Sequence, residues 1–116
     1  MMGENIYLGR LIIGLFGDDL PKTVKNFYHL CKGDKKNKWK RKMSFDSTPF
    51  HKNFAAWGVM GGDWATKDGN TSRSIYGDVF DDEKLGLVKP KAGTFGMFNM
   101  GDRDTNGSKF HILYVN

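Results

Sequence analysis

Short apolar segments separated by glycine dominate this sequence and restrict its fold more than any other feature. The chain contains 15 glycines, and a glycine inside an apolar segment often marks a bend in a curved sheet. Residues 5–16 are rich in Ile, Leu, Tyr and Phe and predict one strand, and residues 45–60 predict one or two more. Residues 93–99 and 110–115 predict two further strands. This pattern is typical of a β-barrel or a β-sandwich.

One helix is predicted among these strands. Pro21 suits the first turn of a helix that runs to about Cys31, and Gly33 is its expected end. The helix carries one apolar stripe that can pack on a core. The stripe consists of Leu20, Val24, Phe27 and Cys31.

The length of 116 residues suits a single domain, which we expect to span residues 1–116. No apolar segment approaches the ~20 residues of a membrane span. The single cysteine, Cys31, excludes an internal disulfide and a cysteine-cluster metal site, and fits a reducing compartment. We therefore expect an intracellular protein, in the cytosol or an organelle such as the mitochondrion and not secreted, without metal or cofactor.

A basic segment accounts for the positive charge of the chain. The formal net charge is +5, and residues 32–43 hold seven cations against Asp34 alone. Residues 32–43 show no apolar periodicity, which predicts an exposed loop insertion around Trp39. It is either a simple solvated loop or a binding site for nucleic acid, an anionic membrane surface or an acidic protein. The candidate residues for an anionic partner are Lys35, Lys36, Lys38, Lys40, Arg41 and Lys42.

Several motifs occur in a fixed order over nearly the whole chain. Residues 9–16 and 21–27 are followed by Phe50-His51, Gly61-Gly62-Asp63, Ser74-Ile75-Tyr76-Gly77 and Asp104-Thr105-Asn106-Gly107-Ser108-Lys109-Phe110. Together they resemble the cyclophilin family of peptidyl-prolyl isomerases. The resemblance implies an eight-stranded antiparallel β-barrel with a helix over each open end.

The resemblance also implies a reaction that needs no nucleophile or metal. Rotation about an X-Pro bond is opposed by amide resonance, with a barrier of about 18–20 kcal/mol, and is assisted by a group that favours a single-bond-like prolyl nitrogen. In the family an arginine fork supplies that group. His51, Gly69 and Asn99 of this sequence match the family's pattern of site residues.

Other site positions depart from the family pattern. Lys52 stands where the family has the arginine, and lysine lacks the planar fork needed for a bidentate contact. Trp57 occupies the position of an aromatic residue that lines the proline pocket. Met60 replaces a glutamine and so removes a hydrogen-bonding group from the groove.

Four further positions change the groove predicted from the resemblance. Phe98 and Met100 stand where the family has small residues, and both side chains would project into the peptide groove. Lys109 replaces an amide side chain. His111 replaces the phenylalanine that floors the proline pocket, which exchanges an apolar wall for a titratable ring. These changes predict a degenerate isomerase site.

The family's domain extends beyond the position of Asn116. The part without a counterpart carries a pocket-lining aromatic, a second active-site histidine, the second helix and the closing strands. The expected fold is therefore a cyclophilin-like antiparallel barrel with one capping helix, which is either incomplete or closed by something else. Unpaired barrel edges expose backbone N–H and C=O groups that can hydrogen-bond to a partner.

Two functions from different classes follow from this resemblance. The first is a protein-binding or scaffold subunit of a larger assembly, whose partners are a protein or a proline-containing peptide and a subunit that covers the open edges. The alternative is an active but weak isomerase, in which Lys52 stabilises the twisted amide and Trp57 holds the proline ring. His51 is either a second catalytic residue or a structural residue that hydrogen-bonds to the backbone. In a third possibility, the basic segment is the functional element.

Overall fold

The computed structural model describes residues 5–99 and 101–115. The elements are α1 (Pro21–Lys32), β1 (Lys35–Lys36), β2 (Lys42–Met43), β3 (Lys52–Phe54), β4 (Gly58–Gly61), β5 (Phe95–Met97) and β6 (Phe110–Leu113). Strands β1 and β2 form an antiparallel hairpin, and the other four strands form one antiparallel sheet in the order β3-β4-β6-β5. This architecture confirms a mostly β fold with one helix.

The sheet is open, with β3 and β5 as its edges, so the described residues do not form the closed barrel of the family. The predicted strand over residues 5–16 is also wrong, because this segment has no strand partner in the described structure. An extended segment becomes a strand only when a neighbouring strand offers a hydrogen-bonding ladder. Without that ladder most of its side chains stay exposed, including Leu8 and Ile12.

Helix α1 confirms the predicted element and both of its ends. Pro21 lies in the first turn of the helix. At the C-terminal end, Gly33 has φ 70°, and its backbone N–H donates to the carbonyl oxygen of His29 (2.7 Å). The carboxylate of Glu83 caps the other end by accepting hydrogen bonds from the backbone N–H groups of Lys22 and Thr23. No helix among the described residues is long and apolar enough to cross a membrane.

The core lies between α1 and the sheet. Leu30, Met43 and Trp64 are buried together at its centre. Beside them Phe27 contacts the rings of other phenylalanines, with centroid separations between 4.7 and 5.6 Å. The phenylalanines that contact Phe27 are Phe45, Phe95 and Phe110.

Asn26 connects the helix to two loops near the sheet. Its buried side chain donates from Nδ2 to the carbonyl of Gly107 (2.8 Å) and accepts from the backbone N–H of Ile75 through Oδ1 (2.8 Å). A buried amide with both ends hydrogen-bonded fixes the segments that it joins. The loops that carry Ile75 and Gly107 are therefore held in place by the helix.

The predicted loop over residues 32–43 contains a short β-hairpin. Lys35 pairs with Met43, and Lys36 pairs with Lys42. Met43 is buried in the core, which fixes one end of this otherwise charged segment. The sequence pattern could not show a strand only two residues long.

An apolar cavity of about 630 Å³ lies between residues 11–16, α1 and one edge of the sheet. Leu20, Val24 and Phe27 line it from the helix side, and residues 93–97 line it from the sheet side. Apolar surface around a cavity of this size lacks the packing contacts of a filled core. The N-terminal segment thus lies over an unfilled part of the interior.

Candidate functional site

A row of directly paired residues crosses the four-stranded sheet and forms the centre of the candidate site. Lys52 on β3 pairs with Met60 on β4, Met60 pairs with His111 on β6, and His111 pairs with Gly96 on β5. Side chains of directly opposed residues project from the same face of a sheet. The structure therefore brings Lys52, Met60 and His111 together on one face.

Trp57 lies at the turn between β3 and β4 and closes one end of this row. Its backbone N–H donates to the carbonyl of Phe54 (2.9 Å), and its own carbonyl accepts from the N–H of Tyr114 (2.9 Å). These bonds hold the indole with its centroid 5.4 Å from that of the His111 imidazole. The two rings form a largely apolar wall beside Met60.

His111 is half-buried, and burial lowers the pKa of its imidazole below the ordinary value. Its Nδ1 is buried and has no hydrogen-bond partner among the described residues. The ring lies against Gly96, where an added Cβ would come within 2.9 Å of Cε1. His111 is thus held as a neutral ring at pH 7, which suits contact with an apolar ligand better than charge stabilisation.

Lys52 is the cation of the row and is exposed to solvent. Its ammonium has no ion-pair or hydrogen-bond partner within residues 5–99 and 101–115. An ammonium in water is a strongly hydrated point charge, whereas a guanidinium presents a planar fork of donors. Lys52 is accordingly free to meet a ligand, but it offers a single-point contact.

His51 is placed beside this row by Gly69. Gly69 has φ 88°, and its Cα faces the imidazole of His51 so closely that a Cβ there would overlap the ring. Burial, followed by the nearby charge of Lys109, lowers the pKa of His51, although Asp63 opposes this change. Its Nδ1 is buried without a partner in the described part of the chain.

The loop that carries Gly69 is organised by Asp63. This buried carboxylate accepts hydrogen bonds from the backbone N–H groups of Thr66 (2.9 Å) and Gly69 (2.8 Å) and from the Thr66 hydroxyl (2.7 Å). Burial alone would raise the pKa of Asp63, but these hydrogen bonds lower it far below the ordinary value. The glycine-glycine-aspartate motif that ends β4 is therefore the element that positions Gly69.

Lys109 anchors the loop that carries Gly69 and also lines a small cavity. Its side chain is buried, and its Nζ donates to the carbonyl of Gly69 (2.9 Å) while lying 5.6 Å from the Phe98 ring centroid. A buried ammonium needs such partners because desolvation is costly. Lys109 thereby links the two halves of the candidate site.

A second, smaller cavity of about 190 Å³ adjoins Lys109. Phe98 and Asn99 line it, and the Asn99 Oδ1 accepts a hydrogen bond from the N–H of Gly101 (2.8 Å). Met100, which was predicted to project into the groove, lies outside the described residues. Neither cavity is lined by Lys52, Trp57, Met60 or His111.

Sequence reasoning gave no role to several residues that shape this region. The Ser72 hydroxyl accepts hydrogen bonds from the backbone N–H groups of Ser108 (2.8 Å) and Lys109 (3.0 Å), which fixes the start of β6. Asp102 and Thr105 line the smaller cavity. The polar composition of these loops was the only signal in the sequence, and it does not distinguish a site from a turn.

Comparison with known proteins matches residues 2–116 to the family model "Cyclophilin type peptidyl-prolyl cis-trans isomerase/CLD". The chain is 43% identical over 109 residues to the peptidyl-prolyl cis-trans isomerase CYP21-1 of Arabidopsis thaliana, covering 93% of this chain and 48% of the relative. It is 41% identical over 105 residues to peptidyl-prolyl cis-trans isomerase B of Saccharomyces cerevisiae, covering 90% of this chain and 48% of the relative. The chain thus spans about half the length of these relatives.

A solved structure with the same fold is that of a Cryptosporidium parvum cyclophilin type peptidyl-prolyl cis-trans isomerase in the presence of the dipeptide Ala-Pro. The TM-score is 0.68 and the sequence identity 36%. The match covers 88% of this chain and 60% of the solved chain.

Proposed function

Because this chain belongs to the cyclophilin-type peptidyl-prolyl cis-trans isomerase family, we propose that it binds prolyl segments of proteins through a degenerate isomerase site. The binding face comprises Lys52, His111 and Trp57 around the buried Met60. In this proposal the domain acts as a protein-binding or scaffold subunit within a larger assembly.

The row of side chains across the sheet is the observation that carries the proposal. Along it, Lys52 supplies an exposed charge, Met60 supplies no hydrogen-bond donor, and His111 is a half-buried ring whose pKa is lowered by burial. Twisting a prolyl amide requires a donor aimed at its nitrogen, and an electrostatic contact is much weaker in water than in a desolvated site. This chemistry favours binding over rapid isomerisation.

A prolyl ring suits the wall formed by Trp57 and His111. Both rings are partly exposed, so a ligand can cover them and remove apolar surface from water. The Cryptosporidium relative was crystallised in the presence of Ala-Pro, which supports a proline-containing peptide as the ligand class. The predicted substrate-binding residues at the second cavity, Phe98, Asn99 and Lys109, would then contact the remainder of the peptide.

A proline-containing peptide and its alanine-substituted counterpart test the binding face. We expect Trp57→Ala to weaken binding of the proline peptide about tenfold, because the indole contributes much of the contact surface. Trp39→Ala, which removes an exposed tryptophan from the basic hairpin, is the matched control and should bind normally. Equal binding by the Trp57→Ala variant would refute the assigned face.

An isomerisation assay on the same peptide tests degeneracy. We expect the peptide to isomerise at close to the uncatalysed rate, even at protein concentrations that saturate binding. Robust acceleration would overturn the degenerate-site proposal while leaving the binding face intact.

A weak isomerase is the second candidate, and the pairing of Lys52 with Met60 favours it. This pairing places the ammonium on the face that holds His111, where it could reach a bound prolyl amide. Under this alternative, Lys52→Ala removes the residual turnover and leaves peptide binding nearly unchanged. Lys84→Ala, a lysine on a distant turn, is the control.

The open edges and the 630 Å³ apolar cavity support the assembly part of the proposal. Edge strands offer unpaired backbone groups, and apolar cavity walls gain contacts when a partner fills them. The partner we propose is a polypeptide that pairs with an open edge strand and places apolar side chains in the cavity. The test fragment is the part of the Cryptosporidium chain that lies outside the 60% matched here.

Mixing the chain with that part of the Cryptosporidium protein tests this assignment. We expect a 1:1 complex by sedimentation velocity and a loss of dye binding to exposed apolar surface. Leu11→Asp at the cavity should prevent the complex, whereas Leu85→Asp should not, although both leucines are 68% exposed. Absence of a complex with the unmodified chain would contradict the assembly proposal.

The same proposal places the chain in an intracellular, reducing compartment, either the cytosol or an organelle such as the mitochondrion. Its support is Cys31, an exposed free thiol. Fractionation of cells that express a tagged full-length protein tests this placement, and recovery from the medium would contradict it.

A further inference from the structure

The basic hairpin, defined as residues 35–43, has a tip that is held in one conformation by its own hydrogen bonds. The Asn37 Oδ1 accepts from the backbone N–H groups of Trp39 (3.0 Å) and Arg41 (2.9 Å). The backbone of Asn37 also bonds to Lys40 and Arg41. A tip braced in this way presents its side chains without first losing much conformational freedom.

Arg41 and Met43 attach the hairpin to the body of the domain. The Arg41 guanidinium donates to the carbonyl of Ala65 (2.7 Å) and lies 5.5 Å from the Trp64 ring centroid. Met43 is buried in the core beside Trp64. The base of the hairpin is therefore fixed, and Arg41 is committed to this attachment.

The lysines of the hairpin carry charge that the described residues do not neutralise. The ion pairs of the described structure join His29 and Lys32 to Asp34, and Lys84 to Asp19. No carboxylate within residues 5–99 or 101–115 pairs with a hairpin lysine. The lysines concerned are Lys35, Lys36, Lys38, Lys40 and Lys42.

Trp39 stands among these charges at the tip with 70% of its surface exposed. The Lys38 Nζ lies 4.6 Å from its ring centroid. A large exposed indole held beside ammonium groups matches the interface of a bilayer, where tryptophan lies at headgroup level and lysines extend to the lipid phosphates.

We propose that the basic hairpin binds the surface of an anionic membrane, with Trp39 at the interface and the five lysines on lipid headgroups. Residues 38–40 at the tip are exposed, and residues 35–43 line neither of the two cavities described above. A flat bilayer can meet an exposed tip, whereas proteins that hold single-stranded nucleic acid use a positively charged groove with several stacking aromatics. This inference is independent of the prolyl-peptide site.

Co-sedimentation of the 116-residue chain with vesicles tests the proposal. We expect binding to vesicles of phosphatidylcholine and phosphatidylserine, little binding to phosphatidylcholine alone, and weakening at 0.5 M salt. Each surface lysine contributes about fivefold to binding, so Lys36→Gln/Lys38→Gln/Lys40→Gln should weaken it about 100-fold. A blue shift of tryptophan emission should accompany binding and be absent in Trp39→Ala, which should bind about tenfold more weakly.

Lys25→Gln/Lys84→Gln/Lys89→Gln is the matched control, because it removes the same charge outside the hairpin. It should retain most of the binding. Equal losses in the two triple variants, unchanged binding and emission in Trp39→Ala, or no preference for anionic vesicles would each overturn the proposal. Tighter binding to a single-stranded oligonucleotide than to vesicles, with quenching of Trp39, would overturn it in favour of nucleic acid.

Discussion

The imidazole of His51 occupies the space beside Gly69 that a Cβ on that residue would need. The contact joins the segment before β3 to the loop that Asp63 organises, and it leaves no room for any residue larger than glycine. The geometry of the candidate site therefore depends on the small size of Gly69.

Gly69→Ala tests this contact. An alanine at φ 88° is strained by about 1–2 kcal/mol, and its Cβ would also displace His51, so we expect a total loss of about 2–4 kcal/mol in unfolding free energy. Gly93→Ala is the control, because Gly93 has φ 86° and no atom within 4 Å of an added Cβ. Chemical denaturation of both variants measures the difference, and equal losses would show that backbone strain alone is responsible.

Asp63→Asn tests the loop that carries Gly69. The amide cannot accept all the hydrogen bonds that the carboxylate accepts, so we expect a loss of about 2–3 kcal/mol at pH 7. The pKa of Asp63 is lowered in the folded protein, so its stabilisation is present above its unfolded pKa of 3.8 and falls as the pH drops below it. The difference between wild type and variant should therefore shrink below pH 4. Asp81→Asn, on an exposed turn, should show neither effect.

Stability should also respond to pH through His111. Burial lowers the pKa of His111 below 6.5, so the folded protein takes up a proton less readily than the unfolded chain. Its contribution is complete above about pH 6.5 and is lost as the pH falls toward the folded pKa. His111→Phe should reduce the stability loss between pH 7 and pH 5, to which His51 also contributes because its pKa is lowered as well. An unchanged pH dependence of the unfolding free energy would contradict this assignment.

Glu83→Gln tests the cap of helix α1. Burial would raise the pKa of Glu83, but hydrogen bonds from Thr23 and Lys22 outweigh it and lower the pKa, so the group is a carboxylate at pH 7. The neutral amide should destabilise the protein by about 1 kcal/mol in thermal or chemical unfolding, since it interacts less favourably with the helix N-terminus. Asp81→Asn is the control. The neighbouring Asp82 is unsuitable because its carboxylate accepts a hydrogen bond from Asn106. A loss no larger than that of Asp81→Asn would exclude Glu83 as the cap.

Helix α1 and the family could be predicted because their signals are local in the sequence. Pro21 marks one end of the helix, and the apolar stripe marks its packed face except at Cys31, which is exposed. The strand predicted over residues 5–16 failed for the opposite reason. Its apolar composition suits a strand, but strand formation requires a pairing partner, and composition does not reveal whether one is present.

The candidate site could be predicted as a set of residues but not as an arrangement. The resemblance named Lys52, Met60 and His111, and only the strand register shows that they form one row. Lys109 was predicted to line the groove in place of an amide, and the sequence did not show that its ammonium also donates to the carbonyl of Gly69. A lysine in a sequence carries no information about the carbonyl that it will meet.

The row makes a final prediction about activity. If Lys52 and Met60 weaken isomerisation because they lack donors, then Lys52→Arg/Met60→Gln should restore a planar fork and an amide on the face that holds His111. We expect the double variant to raise kcat/KM on a proline peptide at least about tenfold, which corresponds to 1.4 kcal/mol of transition-state stabilisation. Met60 is buried, so thermal unfolding of the double variant must first show that its fold is intact. Lys84→Arg is the control for the added guanidinium. Because the variant changes side chains on the assigned face without altering its backbone pairing, an unchanged rate would mean that the loss of activity arises elsewhere.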